Sequence, residues 1–213
     1  MWFETPPTLS DWSVAVRHLK RADSRLTHVI EHVGPCTLAP RNDPFIALCQ
    51  SIYSQQISTA IATILFGRFR KLFPRGKPTP AGLIRVFDST PFEELKQCGL
   101  SRQKHAYLRD LAEHFVARKI PIRQLPQMTD EEVIQSLTAV KGVGRWTAEM
   151  FLIFVFNRPD VLPVDDLGLQ VNVGKLMKLP QRPKPRELPG LTEAWRPWRS
   201  IATWYLWRGS SVL

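Results

Sequence analysis

The stretch Leu137-Thr138-Ala139-Val140-Lys141-Gly142-Val143-Gly144-Arg145-Trp146-Thr147-Ala148 decides the reading of this chain. An apolar helix end runs into Gly-Val-Gly and then directly into a second helix that continues to about Phe156. Two glycines flanking one apolar residue allow a tight hairpin with positive φ, and Val143 can plug the gap between the helices. The N–H groups of Gly142, Gly144 and Arg145 then point outward at a helix N-terminus, an arrangement that suits a phosphate. Such contacts position a nucleic acid without reading its bases. The candidate phosphate contacts are Gly142, Val143, Gly144, Arg145 and Thr147. A bare Gly-x-Gly also fits an ordinary turn between two helices, but here Lys141 and Arg145 stand beside the glycines.

Outward from this hairpin almost every segment reads as helix. Leu19, Leu26, Val29, Ile30 and Val33 keep a 3.6-residue period that Gly34-Pro35 stops. Asp43-Pro44 is an N-cap followed by proline, and Phe45, Leu48, Cys49 and Ile52 form one apolar face. Ile57 to Phe73 is amphipathic, with Ile61, Leu65, Phe69 and Leu72 on one side. Thr79-Pro80 and Thr90-Pro91 repeat the cap-then-proline pattern. Ser101 caps a helix reaching about Ala117, Thr129 to Glu132 fits a capping box, and Pro197 suits the first turn of a last helix ending near Trp207. Strand signals are nearly absent. The expected fold is all-α, a compact two-lobed bundle of about ten short helices forming one domain over residues 1–213, with the hairpin at about 137–157.

With 29 basic and 19 acidic residues among 213, the net charge is +10. That balance favours a polyanion as partner. Arg68, Arg70, Lys71, Arg75 and Lys77 form an acid-free run, and eight basic residues face two acidic ones from Leu167 onward. Binding to DNA through such residues weakens steeply with salt. The first residues carry no basic-then-apolar signal pattern, and the apolar run Met150–Phe156 is too short to span a bilayer. An intracellular setting is expected, without a membrane. Cys36, Cys49 and Cys98 are far apart, which excludes a zinc ribbon or a four-cysteine iron–sulfur cluster. His28 and His32, at i and i+4, read as a solvated helix face.

Four motifs, in order along the chain, carry a resemblance. They are Gln50–Ser58, Gly99–Ala112, Val140–Ala148 followed by Leu162-Pro163-Val164-Asp165-Asp166, and Trp195–Trp207. Together they resemble the helix–hairpin–helix DNA glycosylase superfamily, and within it the DNA-3-methyladenine glycosylase II branch in a short form without an N-terminal sheet domain. The similarity covers about residues 43 to 208. It implies base excision repair, hydrolysing alkylated purines (N3-methyladenine, N7-methylpurines) from double-stranded DNA by a monomer, in the bacterial cytoplasm and nucleoid or a eukaryotic nucleus. A non-catalytic damage-binding module, or a glycosylase for another lesion, stays open as an alternative.

Cleaving an N-glycosidic bond builds positive charge on the sugar, which a nearby carboxylate stabilises. Asp165 and Asp166 stand together, and two aspartates also favour a helix start near Val164. The resemblance implies that Asp166 is catalytic, in a loop at about 158–170, with Asp165 in a cap or hydrogen-bonding role. The nucleophilic lysine of bifunctional relatives is replaced by Trp146, so lyase activity is not expected. The same resemblance implies a base pocket at Trp146, Trp207 and, more weakly, Tyr53. It places a DNA wedge at Gln56, flanked by Gln55 and Ile57. Met150, Leu167 and Arg208 stand where larger members often have aromatic residues. Trp195, Trp198 and Trp204 read as core. No cofactor is expected to be required. The resemblance implies a sodium or potassium ion at the hairpin, held by the main-chain oxygens of Thr138, Val140 and Val143. A cationic leaving base calls for a pocket that is neutral to negative.

Overall fold

The computed structural model describes residues 11–41 and 43–213. The first ten residues, on which the expectation about a secretory signal rests, lie outside them. Among the described residues there are twelve α-helices and no strand. No helix among them is long and apolar enough to cross a membrane.

The chain divides into two compact units. The first combines residues 1–42 and 152–213. It holds α1 (Ser13–Ala22), α2 (Arg25–Val33), α10 (Leu167–Leu176), α11 (Leu188–Leu191) and α12 (Arg199–Arg208). The second is Asp43–Phe151, with α3 (Pro44–Ser54), α4 (Thr59–Arg70), α5 (Pro80–Ser89), α6 (Phe92–Gln97), α7 (Arg102–Val116), α8 (Asp130–Thr138) and most of α9 (Arg145–Phe154).

Local chemistry starts the second unit's helices where the sequence reading places them. Asp43 accepts the N–H of Ile46 ahead of Pro44, and Ser101 accepts that of Lys104. The Thr129–Glu132 capping box is complete. Such caps hold N–H groups that a helix start otherwise leaves unpaired. Four expectations need correction. The period from Leu19 to Val33 is broken at Asp23, which is extended. Its carboxylate accepts the main-chain and guanidinium N–H groups of Arg25 and the indole N–H of Trp195. Thr90 caps nothing by its side chain, because Pro91 is the cap and α6 begins at Phe92. Pro197 precedes α12 by two residues. The apolar stripe of α4 differs in its first half: Ala62 and Phe66 are buried together with the expected Phe69, while Ile61 is 50% exposed and Leu65 is half-buried. The aromatic cluster of Tyr53, Phe66, Phe69, Phe73 and Phe87 sets that phase.

In the first unit α10 and α12 pack together, and buried Asn172 donates to the carbonyl of Leu206 at 2.9 Å. The loop before α10 is fastened to the start of α12. Ser200 N–H donates to Pro159 O, Val161 N–H donates to Ser200 Oγ, and Asp160 accepts two N–H bonds from the Arg199 guanidinium. These bonds fix the place where the loop delivers Asp166. Trp195 and Trp204 are buried, and half-buried Trp198 stands edge-on to Trp12.

Candidate active site

In the second unit the hairpin spans Ala139 to Gly144 between α8 and α9. Val140 N–H donates to Leu137 O and Val143 N–H to Val140 O, both at 3.1 Å. Val143 is the buried plug. Gly142 adopts φ +81°, and a Cβ on it would land within the Tyr107 ring. Gly144 differs: its φ is not positive and no atom lies within 4 Å of where its Cβ would sit. One glycine makes the turn, and the other keeps the outer surface open to close approach.

The phosphate contacts expected at this hairpin separate into two groups. Gly144 and the main chain of Arg145 are at the surface, with Gly142 half-buried. Val143 is corrected, because its N–H is spent on the turn. Thr147 is corrected too, since its side chain is buried on the inner side of α9. The Arg145 guanidinium is held by both Glu131 oxygens, at 3.0 and 2.7 Å, and by Glu149 at 3.3 Å. Hydrogen bonding to Glu131 raises the Arg145 pKa and lowers that of Glu131. The Arg145 guanidinium is thus engaged by carboxylates although the side chain is 49% exposed. Trp146, in the first turn of α9, is 43% exposed.

Gln56 sits exposed in the α3–α4 turn with φ +62°, so the backbone thrusts it outward, and half-buried Ile57 follows. Gln55, expected beside the wedge, has its Nε2 donating to Gly142 O at 2.8 Å, which ties the turn to the hairpin. These two residues border a cleft of about 160 Å³ with Gln103, Lys104 and Tyr107. Lys104 donates to Tyr53 O at 2.6 Å, and burial lowers its pKa. Tyr53 is corrected as a pocket residue. It is fully buried against Phe66 and Phe69, and its hydroxyl donates to Cys98 O. Thr138 and Val140 stand at the end of α8. Late helical carbonyls there lack intrahelical donors, and the negative end of the helix dipole favours a cation. Such neutral oxygens suit a monovalent ion, with one lone pair of Val140 O engaged by Val143 N–H.

In the first unit Asp166 is extended (φ −71°, ψ 114°) and is itself the N-cap of α10. The cap role assigned to Asp165 therefore belongs to Asp166, and the helix starts at Leu167 rather than near Val164. The reason is a turn in which Asp166 N–H donates to Pro163 O, leaving exposed Asp165 short of the helix. Two donors converge on Asp166 Oδ1: Leu169 N–H at 2.6 Å and the Trp207 indole N–H at 2.9 Å. Together they fix the plane of the carboxylate. Gly168 lies alongside, its Cβ position 3.2 Å from Oδ1 and 3.6 Å from the Trp207 ring. Trp207 stacks on Phe154 (5.9 Å, 20°), and the Arg41 guanidinium lies 5.5 Å from the Phe154 ring centre. Burial lowers the Arg41 pKa.

Sequence reasoning missed Tyr107, Asp110, Phe154 and Arg41, since their contacts join segments far apart in the chain. It also counted as candidate phosphate contacts two arginines that fold the loop. Arg199 is buried on Asp160, and Arg196 pairs with Asp160 and Glu193. Leu167 is 57% exposed, and exposed Arg208 lies over the Trp204 ring at 5.4 Å. His28 and His32 are exposed, and among the described residues no three metal-ligating side chains gather.

Residues 49–197 match the family described as HhH-GPD superfamily base excision DNA repair protein. The chain is 33% identical over 204 residues to the alkylbase DNA glycosidase-like protein mag2 of Schizosaccharomyces pombe, covering 93% of this chain and 94% of that protein. It is 35% identical over 200 residues to DNA-3-methyladenine glycosylase 1 of the same yeast, covering 92% and 86%. Its structure matches that of the S. pombe 3-methyladenine DNA glycosylase Mag1 in complex with abasic DNA. There the TM-score is 0.81 at 34% identity, covering 94% of this chain and 97% of the other. The hairpin and its trailing aspartate thus sit in a wider match, and the chain belongs to the HhH-GPD superfamily of base excision DNA repair proteins.

Proposed function

We propose that this chain is a monofunctional DNA glycosylase that hydrolyses alkylated purines, N3-methyladenine and N7-methylpurines, from double-stranded DNA in base excision repair. The observation that carries the proposal is the Asp166 carboxylate, oriented by a helix N-terminus and by the indole N–H of Trp207. The names of the relatives agree with this reading.

In this mechanism the hairpin grips phosphate through the backbone around Gly142, Gly144 and Arg145. Gln56, with Ile57 beside it, occupies the space left when the damaged nucleotide turns out of the stack. The Trp207 indole beside Asp166 attracts a cationic base, an indole face being worth about 0.5–2 kcal/mol; the exposed Trp146 of the second unit offers a face of the same kind. As the glycosidic bond breaks, its electron pair leaves with the base, which becomes a neutral methylpurine. Asp166 stabilises the positive charge that develops on the sugar and accepts a proton from the water that attacks C1′. The products are a free base and an abasic site. The main-chain carbonyls of Thr138, Val140 and Val143 would hold a sodium or potassium ion, which would supply positive potential toward the phosphate. The chain acts as a monomer wherever the DNA is housed, the bacterial cytoplasm and nucleoid or a eukaryotic nucleus.

The test of this function is base release measured on two duplexes. N3-methyladenine should leave far faster than hypoxanthine, a neutral base that gains nothing from the indoles. Equal rates overturn the proposed selectivity. Borohydride should trap no covalent adduct, because Trp146 offers no amine; a trapped adduct overturns the monofunctional assignment. Trp207→Phe keeps the aromatic stack and removes one donor to Oδ1. It should slow release about tenfold with DNA affinity kept, as expected for losing a hydrogen bond to a charged group.

The cap role of Asp166 favours a second reading, a non-catalytic damage-binding module in which that aspartate only starts α10. Lack of any base release with DNA binding intact is the result that reading requires.

A further inference from the structure

Behind the hairpin, and outside the chemistry just described, stands a carboxylate in an unusual place. Asp110 lies on α7, and its side chain is 16% exposed. Its Oδ2 accepts the main-chain N–H of Lys141 at 2.9 Å. The Lys141 ammonium lies 3.9 Å from Oδ1 and the His114 Nδ1 3.3 Å from Oδ2. A negative charge beneath a surface proposed to meet phosphate opposes DNA binding through long-range electrostatics. Its geometry supplies the compensating role.

We propose that Asp110 is a positioning residue for the DNA-binding hairpin, holding its main chain in the phosphate-gripping shape; this rests on the proposed DNA-binding function. The hairpin is held at two successive residues. Asp110 takes the N–H of Lys141, while Gln55 donates to the carbonyl of Gly142 and the Tyr107 ring packs on Gly142 itself. Tyr107 and Asp110 lie one turn apart on α7, so one helix face sets both. With this bracing, Gly144 and the first turn of α9 meet a phosphate without first being ordered. Losing it charges the cost of ordering to the binding step.

The two effects of Asp110 have opposite signs, which makes the test decisive. Asp110→Ala and Asp110→Asn both remove a negative charge. If charge alone mattered, both would bind DNA more tightly than wild type. Positioning predicts the reverse. For a duplex carrying a tetrahydrofuran abasic site, the dissociation constant should rise about tenfold in Asp110→Ala and by about twofold to threefold in Asp110→Asn, whose amide oxygen still accepts the N–H. In both, kcat at saturating DNA should stay within about twofold of wild type while KM rises with the dissociation constant. Amide exchange at Lys141 should accelerate without loss of protection in the α7 core. Exposed Glu113 on the same helix serves as the control: Glu113→Gln should bind DNA at least as tightly as wild type. A dissociation constant at or below wild type in either Asp110 variant overturns the inference. If Asp110→Ala does not fold, Asp110→Asn decides by the same sign. Wild type that binds no abasic duplex contradicts the proposed function instead.

Discussion

Asp166→Asn is expected to slow base release on the order of 10²–10⁴-fold, the range of a positioned general base. The fold should remain almost untouched. Asparagine caps helices about as well as aspartate, so the Leu169 N–H keeps its acceptor, and the cost to stability stays below about 1 kcal/mol. The Trp207 indole keeps an oxygen to donate to as well. What disappears is the negative charge and the ability to take a proton. The substitution thus separates the two roles that meet in this one side chain. Asp166→Ala cannot do so, because it removes the cap, the indole's partner and the charge together. Single-turnover release from methylated duplex, measured beside thermal melting, reads the result. Wild-type rates in a folded Asp166→Asn protein contradict the catalytic assignment.

The second large effect is expected at Gly142. An alanine there meets two penalties. A left-handed backbone costs a non-glycine residue about 1–2 kcal/mol, and forcing a methyl into the Tyr107 ring adds about 1–3 kcal/mol. Tyr107 cannot simply swing away, since Gln103 donates to its hydroxyl at 2.7 Å. The sum, about 2–5 kcal/mol, is a large part of the 5–15 kcal/mol that holds an ordinary domain folded. Denaturant unfolding should show this loss, and DNA affinity should fall with it. Adding Tyr107→Ala to Gly142→Ala should recover the steric part and leave the backbone part, a non-additivity expected of residues in contact. Gly144→Ala is the counterpart. Open space surrounds that position, so stability should stay within about 0.5 kcal/mol of wild type. DNA binding should still weaken, because the methyl occupies the surface a phosphate approaches. Equal unfolding curves for wild type and Gly142→Ala contradict this account of the turn.

Much of the architecture was legible in the sequence, for a physical reason. Caps and prolines act within one helical turn, so Asp43-Pro44, Ser101 and Thr129–Glu132 announce their helices without reference to the rest of the chain. The hairpin is legible in the same way, since a tight turn between two helices needs a glycine wherever it is placed. The misreadings have the opposite character. The face of α4 is set by aromatic residues from α3, α5 and the segment after α4, so periodicity alone found Phe69 but chose Ile61 and Leu65 where Ala62 and Phe66 are buried. Tyr53 resembled a pocket residue by position and became core because Phe66 and Phe69 close over it. The ion pair of the Arg145 guanidinium with Glu131, fourteen residues earlier, was likewise illegible, although the contact expected through the Arg145 main-chain N–H does not depend on it. The aspartate pair shows the limit most clearly. Their spacing allowed either to cap, and only the turn at Pro163 assigns the cap to Asp166.

The +10 charge has a narrower role in this light. Several of the basic residues that looked available are committed: Arg199 to Asp160, Arg196 to Asp160 and Glu193, and the Arg145 side chain to Glu131. The remaining surface charge suits non-specific attraction to DNA, while the proposed function leaves selection of the lesion to uncharged aromatic faces and one carboxylate.

The most direct test of the central claim is to incubate the wild-type protein with methylated duplex DNA and identify the released bases by mass spectrometry, with Asp166→Asn in parallel. The account predicts free N3-methyladenine and N7-methylpurines from wild type, abasic sites left in the DNA, and release from Asp166→Asn lower by at least about 100-fold. Wild-type protein that binds the duplex and releases no methylated base contradicts it.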